Sequence, residues 1–494
     1  MRVRRNHRLR TAVTGLVLVT AGTLALPVGT AAAAPAPKPV PGTTGPLLSY
    51  VVNTKANHGQ VQKAERAITA LGGTVVYAYE QIGVVIARSD NTAFAANLRG
   101  QNGIDSVGAT RTKGLALGDV ETTVEADASA AAPAGGGEPL APNQWDLRQI
   151  GADKAHETTL GSRDVVVGVL DSGIDATHED LAANVDPALS ASCVNGGAPQ
   201  TDWQSWQPTT SDHGTHVAGT IAAARNGKGI EGIAPNVRLA AVKVVDDGGF
   251  IYPEYAVCGF VWAAEHNFKV TNNSYYIDPW MFNCQSDPDQ GAVVTAVRRA
   301  VEYSQRKGVL NVAAAGNENY DLAHKTTDTA SPGDGTPGSR PVDNNCLDLP
   351  VELPGVIAVS AVGSAGQKAY YSSYGRGVIT VAAPGGDARY QLPDTPDHNG
   401  RILSTIPGNK YGYKQGTSMA SPHVTGVVAL LAGTHPKAGP EELTSLLIGQ
   451  AKPIACPASY DPSGTGAYRA TCEGPQADNG FFGHGLVDAN AAVH

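Results

Sequence analysis

Apolar positions near the start of the chain recur with the spacing of a small α+β unit. Residues 47–53 alternate in the manner of a strand, and Val61, Ala64, Ile68 and Leu71 then share one face of a helix. Strand, strand, helix and strand patterns follow at 74–78, 82–87, 92–98 and 104–107. This β-α-β-β-α-β order predicts a ferredoxin-like fold for residues 47–110.

A polar segment separates this unit from the rest of the chain. Asp, Glu, Ala, Gly and Pro dominate residues 119–141, and no periodic apolar face is present. A segment of this composition buries too little apolar surface to offset the entropy lost on ordering. The pattern therefore predicts a flexible linker at 111–141 and a second domain at 142–494.

Strand and helix patterns alternate throughout the second domain. Apolar, β-branched runs predict strands at 165–170, 239–245, 268–272, 309–315 and 356–362. Helical patterns lie at 213–224, 256–265, 291–306 and 418–432. The alternation predicts an α/β fold with a doubly wound, mostly parallel sheet that is covered on both faces. The site of such a sheet lies beyond the C-terminal ends of its strands.

The N-terminal residues 1–34 have the pattern of a secretory signal peptide. Five arginines among the first ten residues precede the apolar stretch Ala12–Leu26 and the small-residue run Ala31–Ala34. The apolar stretch is short for a membrane anchor, and Arg4–Arg5 leaves twin-arginine export as an alternative route. We predict a secreted, extracellular protein without a stable membrane anchor.

Charge and cysteine content narrow the possible partners. The formal net charge is −9 and the basic residues are scattered, which argues against a nucleic-acid partner. The six cysteines form an even set in an exported chain and predict disulfides, whose connectivity the sequence leaves open. We favour Cys456–Cys472, followed by Cys284–Cys346, and we expect a monomer.

Three residues at predicted element ends form a candidate catalytic set. Asp171 directly follows a strand, and His213 and Ser418 lie at the starts of two helices. A serine hydroxyl needs a neighbouring base to act as a nucleophile, and the pKa of imidazole suits that task. A carboxylate then fixes the imidazole tautomer. We predict Ser418 as nucleophile, His213 as general base and acid, and Asp171 as the orienting carboxylate.

Five neighbouring residues compete for these roles. Asp175 and Asp212 are alternative carboxylates, although Asp212 better suits a helix N-cap. His216 and His423 are predicted to be packed structural residues. The proline after Ser421 favours a structural role for that serine.

The three predicted catalytic residues lie in the segments Val169–Asp175, Asp212–Gly219 and Gly416–Val424. These segments resemble the signatures of the subtilase family of serine proteases, in the same Asp, His, Ser order. The resemblance covers residues 142–494 and, more weakly, 47–110. It implies a subtilisin-like fold and a secreted serine endopeptidase that hydrolyses peptide bonds in protein or peptide substrates through an acyl-enzyme. Residues 47–110 then resemble a propeptide that assists folding, inhibits the enzyme and is removed by self-processing. An accessory binding domain that stays attached is the alternative.

The resemblance also implies an oxyanion and substrate site. Asn317, after Gly316, would stabilise the oxyanion together with the Ser418 backbone N–H, whereas an asparagine that caps a turn is the alternative. Ser274, Tyr275 and Tyr276 stand where subtilases have a Ser-Leu-Gly-like tripeptide that pairs with substrate. Ala315 and Gly316 complete the predicted substrate-binding residues. The tyrosine in place of the usual glycine leaves the side-chain preference of the pocket open.

A calcium site is a further implication of the family spacing. It would use side-chain oxygens of Asp180 and Asn226. The site would be completed by the backbone carbonyls of Ala224, Lys228 and Ile230 and by the side-chain amide of Gln144. An Asn-Gly turn beside a solvated acid is the alternative.

Two other functional classes remain as hypotheses. One is an inactive binding protein on a protease scaffold, which the intact set of Asp171, His213, Ser418 and Asn317 argues against. The other is an esterase of the α/β-hydrolase kind, whose Gly-x-Ser-x-Gly elbow would need glycine where Ala420 stands.

Overall fold

The computed structural model describes residues 42–112, the backbone of 124–125, and residues 137–494. The predicted signal peptide and most of the predicted linker lie outside the described residues. The ends of the linker that are described are packed: Arg111 forms an ion pair with Glu254, and Glu138 and Leu140 are buried.

The N-terminal unit has the predicted order of elements. These are β1 (Thr44–Thr54), α1 (His58–Ala70), β2 (Thr74–Tyr79), β3 (Val84–Asn91), α2 (Phe94–Arg99) and β4 (Ile104–Ala109). The strands form an antiparallel sheet in the order β2-β3-β1-β4. The predicted face of α1 is buried against this sheet through Val61, Ala64 and Ile68. The helical spacing therefore predicted these core residues correctly.

The remaining elements begin with the two-residue strand β5 (Val124–Glu125). Those of the second domain, in chain order, are α3 (Trp145–Gln149), α4 (Ala152–Ala155), β6 (Val166–Asp171), β7 (Ala191–Ser192), α5 (His213–Ala222), β8 (Arg238–Lys243), α6 (Pro253–Glu265), β9 (Val270–Asn273), β10 (Asn283–Cys284), α7 (Pro288–Arg306), β11 (Leu310–Ala314), β12 (Thr327–Asp328), β13 (Arg340–Pro341), β14 (Cys346–Leu347), β15 (Val356–Val362), β16 (Val381–Pro384), β17 (Ile402–Ile406), β18 (Lys410–Lys414), α8 (Thr417–Thr434) and α9 (Pro440–Gln450).

A seven-stranded parallel sheet organises the second domain. Its strand order is β16-β15-β11-β9-β6-β8-β7. Alternate residues of β6 enter different cores, because successive side chains of a strand point to opposite faces. Val167 and Val169 pack in the cluster that contains Val424 of α8, whereas Leu170 packs with Phe260 of α6. The predicted α/β sheet with helices on both faces is confirmed.

Smaller pairings and disulfides complete the domain. β17, β18 and β5 form an antiparallel sheet, and β10 pairs with β14 at the Cys284–Cys346 disulfide. The other disulfides are Cys456–Cys472 and Cys193–Cys258, so both favoured pairs are confirmed. None of the described helices is both long enough and apolar enough to cross a membrane.

Candidate active site

One edge of the parallel sheet carries the predicted catalytic residues. β6 ends at Asp171, and the helices α5 and α8 begin at His213 and Thr417. A cavity of about 730 Å³ lies at this edge, and its lining includes Asp171, His213, Asn317 and Ser418. The four residues predicted to carry the chemistry therefore meet at one cleft.

The Asp171 carboxylate is bound to the imidazole of His213. Nδ1 of His213 lies 2.9 Å from Oδ1 and 3.0 Å from Oδ2 of Asp171, and the Ser172 N–H donates to Oδ1 at 2.7 Å. The Asp171 side chain is 2% exposed and that of His213 is 19% exposed. Gly214 permits this approach, because a Cβ there would lie 2.3 Å from the Gly173 carbonyl oxygen. The pairing fixes Nδ1 as the protonated nitrogen and leaves Nε2 as the basic one.

Ser418 is the second residue of α8 and is 8% exposed. Its hydroxyl donates to the Ser274 carbonyl at 3.3 Å, and the Ser274 hydroxyl donates to the Ser418 carbonyl at 2.9 Å. These bonds join the start of α8 to the segment that follows β9. The N-terminal end of a helix also favours negative charge that develops beside it.

Asn317 is oriented by Thr417. Its Oδ1 accepts hydrogen bonds from the Thr417 N–H at 2.8 Å and from the Thr417 hydroxyl at 3.0 Å. The opposite end of the amide, Nδ2, is a donor only. Gly316 has a φ of +97°, which turns the chain out of β11 towards the cavity. The arrangement holds the Asn317 amide against Thr417, the residue that precedes Ser418.

Four of the five predicted substrate-binding residues line the cavity. They are Ser274, Tyr275, Tyr276 and Gly316. Ala315 is fully buried, whereas the preceding Ala314 contributes to the lining. The Tyr275 hydroxyl donates to Asn273 Oδ1 at 2.9 Å, and burial raises the pKa of Tyr275 well above its usual range. A neutral, tethered phenol therefore forms part of the wall.

The competing residues have structural partners. Asp175 accepts from the Thr177 and Gly408 N–H groups, and Asp212 forms an ion pair with Lys414. His216 is fully buried and its Nε2 lies 3.1 Å from two carbonyl oxygens, those of Ile402 and Gly412.

The other two competitors lie inside α8. His423 is fully buried; its Nε2 lies 2.9 Å from Asp146 Oδ2, and its Nδ1 lies 2.7 Å from the Met419 carbonyl oxygen of its own helix. Ser421 is also fully buried and donates to Asn272 Oδ1 at 2.8 Å. Its proline neighbour lies inside α8 rather than in the first turn.

Two residues that orient the site were missed in the sequence. Ser172 accepts from the Gly214 N–H at 3.0 Å, and Thr417 holds the Asn317 amide. Each adjoins a predicted catalytic residue and carries a hydroxyl, which is the signal that could have identified it.

The predicted calcium ligands converge on one loop. Asp180 Oδ1 lies 3.2 Å from Asn226 Nδ2, and Asp180 Oδ2 accepts from the Ile230 N–H and the Tyr411 hydroxyl. Gln144 Oε1 accepts from the Glu231 N–H, one residue beyond Ile230.

A second carboxylate near this loop was not predicted. Glu138 Oε1 accepts from the Gly227 N–H, and its Oε2 is buried without a hydrogen-bond partner among the described residues. Burial, with the Glu138 charge as a further cause, raises the pKa of Asp180 to about 6. These two buried carboxylates, one of which has an oxygen without a partner among the described residues, fit a hard cation. Within the described ranges, no group of three or more His, Cys, Asp or Glu side chains is arranged to hold a metal.

The chain is similar to proteins of one known family. The family model described as the subtilase family matches residues 162–485. Fervidolysin of Fervidobacterium pennivorans is 32% identical over 375 residues, which are 72% of this chain and 44% of fervidolysin. A subtilisin of Bacillus pumilus is 35% identical over 294 residues, which are 59% of this chain and 85% of that protein.

Solved structures give the same result for the fold. The crystal structure of fervidolysin, described as a keratinolytic enzyme related to subtilisin, superposes with a TM-score of 0.61 at 26% identity, over 91% of this chain and 61% of that one. The epidermin leader peptide processing protease of Staphylococcus aureus gives 0.64 at 21% identity, over 91% and 98% of the two chains. This chain thus spans less than half the length of fervidolysin in the sequence match.

Proposed function

Because this chain belongs to the subtilase family, we propose that it is a serine endopeptidase that acts through Asp171, His213 and Ser418. One observation carries the proposal: these side chains and Asn317 converge on a single cavity at the sheet edge. A carboxylate-bound imidazole and a serine hydroxyl beside one cleft are the parts that acyl transfer requires.

In the proposed reaction, the Ser418 hydroxyl turns from the Ser274 carbonyl towards Nε2 of His213. His213 takes the proton as Oγ attacks the peptide carbonyl, and then gives it to the departing amine as the C–N bond breaks. Water hydrolyses the resulting ester, with His213 again as the base. Asp171 keeps the imidazole in the required tautomer and stabilises its protonated form.

Asn317 Nδ2 and the Ser418 backbone N–H are the proposed oxyanion donors. Thr417 supports this assignment because it binds Oδ1 and so determines which end of the amide is the donor. A fixed donor needs no reorganisation when the negative charge develops on the substrate oxygen.

We propose that peptide substrates add as an extended strand along residues 274–276. Main-chain hydrogen bonds would supply affinity that is independent of substrate sequence. Tyr275 supports this arrangement, since its hydroxyl is tied to Asn273 and its side chain is thereby held in the cavity wall.

The unit of residues 47–110 is proposed to be an inhibitory propeptide that the enzyme itself removes. Arg299 of α7 donates to the carbonyls of Thr54 and Gly83 and pairs with Asp105, and a Cβ at Gly108 would lie 2.2 Å from the Asp289 carbonyl oxygen. The unit is therefore closely fitted to the domain.

The end of this unit approaches the cavity. The Thr112 N–H donates to Asp334 at 2.8 Å, and the adjacent Gly333 lines the cavity. A unit whose end is held beside the cleft supports both inhibition and self-cleavage, with the cut between roughly residues 110 and 141, where the composition specifies no unique boundary.

We propose that the chain is secreted. The signal pattern at residues 1–34 supports it, and the three disulfides suit an oxidising compartment.

Calcium is the proposed structural cofactor. Asp180, Asn226 and Gln144 would hold it, with the carbonyls of Ala224, Lys228 and Ile230. Glu138 would add negative charge beside it. Bound calcium would supply positive charge to two buried carboxylates and thereby stabilise the loop.

The function is tested with Ser418→Ala in the full chain. We expect the variant to be exported as an uncleaved precursor without activity on casein, whereas the wild type matures and digests casein. Ser445→Ala, on the exposed face of α9, is the matched control and should behave as the wild type does.

Two outcomes would contradict the proposal. If Ser418→Ala matures alone and digests casein, Ser418 is not the nucleophile. If the folded wild type hydrolyses neither casein nor its own propeptide, the binding-protein hypothesis takes its place.

A further inference from the structure

The Arg111 side chain occupies a defined pocket at the start of α6. Its Nη2 donates to Glu254 Oε1 at 2.6 Å and to the Tyr255 hydroxyl at 3.4 Å. The Glu254 side chain is 0% exposed and that of Arg111 is 15% exposed. Burial of an ion pair is unfavourable unless the two groups are well matched, so this contact is specific.

The pocket has the shape that a guanidinium group requires. The Arg111 Cζ lies 3.8 Å from the ring centroid of Tyr252, and the Tyr252 and Tyr255 rings pack edge to face. A planar guanidinium stacks on an aromatic face and also forms forked hydrogen bonds, which an ammonium group cannot do.

One acceptor of the pocket is not used by Arg111. Glu254 Oε2 is buried and has no hydrogen-bond partner among the residues that the structure describes. Of the two carboxylate oxygens of Glu254, Arg111 binds only Oε1. A second N–H of an arginine would therefore find an acceptor already desolvated, which is the geometry of a bidentate pair.

The pocket adjoins the cavity on the side where Thr112 is held. Phe250 and Ile251, just before Tyr252, line the cavity. Thr112, the residue after Arg111, is held by Asp334 beside cavity-lining Gly333. A substrate that runs in the same direction would place an upstream side chain at Glu254.

We propose that Tyr252, Glu254 and Tyr255 form a distal substrate subsite that selects an arginine upstream of the scissile bond. The inference rests on the proposed endopeptidase function and names a substrate class for it. Release of the propeptide withdraws Arg111 and leaves the pocket to substrates. All three side chains belong to the peptidase domain, two of them to α6, which is anchored by the Cys193–Cys258 disulfide.

The test uses internally quenched peptides and enzyme matured from the full chain, with active sites titrated. Arginine is placed at each upstream position in turn and compared with lysine, norleucine, glutamine and glutamate. We expect one position at which arginine raises kcat/KM about tenfold over glutamine, the size of a hydrogen bond to a charged group. Lysine should give a smaller gain and glutamate a loss.

Variants assign the preference to the pocket. Glu254→Gln should abolish the arginine preference, so that the ratio of kcat/KM between the arginine and glutamine peptides falls to about one. Tyr252→Leu should reduce the advantage of arginine over lysine. Glu265→Gln, at the exposed far end of α6, is the matched control and should retain the preference.

The outcomes separate the two proposals. If the wild type cleaves arginine and glutamine peptides equally at every position, the subsite is refuted and the ion pair is only a contact with the propeptide. If no peptide is cleaved at all, the failure is that of the proposed function. The comparison of arginine and glutamine peptides with the wild-type enzyme tests the subsite even if the Glu254→Gln variant does not mature.

Discussion

Two rows of side chains in the same helices have opposite environments. His213 and Ser418 line the cavity, whereas His216 and Ser421, each three residues further along, are fully buried. His213 pairs with a carboxylate, but His216 donates to backbone carbonyls. One helical turn therefore separates residues that can react from residues that hold the helices in place.

The contrast explains why the sequence motifs are so long. In the proposed mechanism the cavity row supplies the reacting groups, and the buried row determines how α5 and α8 pack so that the cavity row converges. We therefore expect changes in the cavity row to lower turnover at constant stability, and changes in the buried row to lower stability at nearly constant turnover.

Among changes that leave Asp171, His213 and Ser418 intact, the largest effect is expected at Asn317. Asn317→Ala should lower kcat about 10²–10³-fold, equivalent to about 2.7–4 kcal/mol, the size known for an oxyanion donor in this family. KM should change little, because the interaction strengthens only in the transition state.

Asn317→Asp is the matched control for a structural role. Aspartate retains an oxygen for the two Thr417 hydrogen bonds but lacks the Nδ2 donor. If Asn317→Asp recovers most of the wild-type kcat, Asn317 only positions Thr417 and the oxyanion assignment is wrong.

Residues of both rows were identifiable in the sequence, whereas contacts between distant segments were not. Asp171, His213 and Ser418 were identifiable because each lies at an element end and carries a reactive group. The pairing of Arg111 with Glu254 was not predictable, since 143 residues separate them and local composition assigned Arg111 to a linker. Glu138 was missed for the same reason, because its burial depends on contacts that only the folded chain makes.

The secondary-structure elements also differ in how well the sequence predicted them. The five predicted parallel strands and four helices of the second domain are present, because their apolar runs are long and continuous. The hairpin of β17 and β18 was not predicted, since its short strands are held by contacts with α5, such as those of the Ser404 and Thr405 hydroxyls with the carbonyls of His216 and Thr215, rather than by a strong local pattern.

A smaller effect, on stability alone, is expected from calcium. At free calcium about 100 times its dissociation constant, binding should stabilise the protein by about 2.7 kcal/mol. The measurement is Tm with calcium, with magnesium and with chelator, in the Ser418→Ala background to avoid autolysis. Asp180→Asn should remove the response and Asp186→Asn, at a surface ion pair with Arg238, should retain it. A Tm that is unaffected by chelator would refute the site.

The buried row should also make stability depend on pH. Burial, followed by the charge of Lys414, lowers the pKa of His216 to about 3, whereas the unfolded chain has the ordinary value of about 6.5. The unfolded state therefore binds the proton first as the pH falls. Stability is fully present above about pH 6.5 and declines towards pH 3, by about 2 kcal/mol between pH 7 and pH 5.

Unfolding free energies at pH 7 and pH 5 measure this loss. His216→Gln in the Ser418→Ala background should show a smaller difference between the two pH values. An unchanged pH dependence in that variant would show that His216 is not the titrating group.

The smallest effect is expected at Ser421. Asn272 Oδ1 also accepts from the Thr425 hydroxyl at 3.0 Å, so it keeps a partner when Ser421 is replaced. Ser421→Ala should lower the unfolding free energy by about 1 kcal/mol and leave kcat unchanged. A large fall in kcat with normal stability would place Ser421 in the reacting row and break the comparison.

Covalent labelling tests the central claim most directly. A fluorophosphonate reacts with an activated serine and traps it as a stable adduct, which peptide mass spectrometry locates. We predict one adduct on the wild-type enzyme, at Ser418, with none on Ser418→Ala and strongly slowed labelling of His213→Ala. An active enzyme that is labelled at a different serine, or that labels equally fast without His213, would contradict the account.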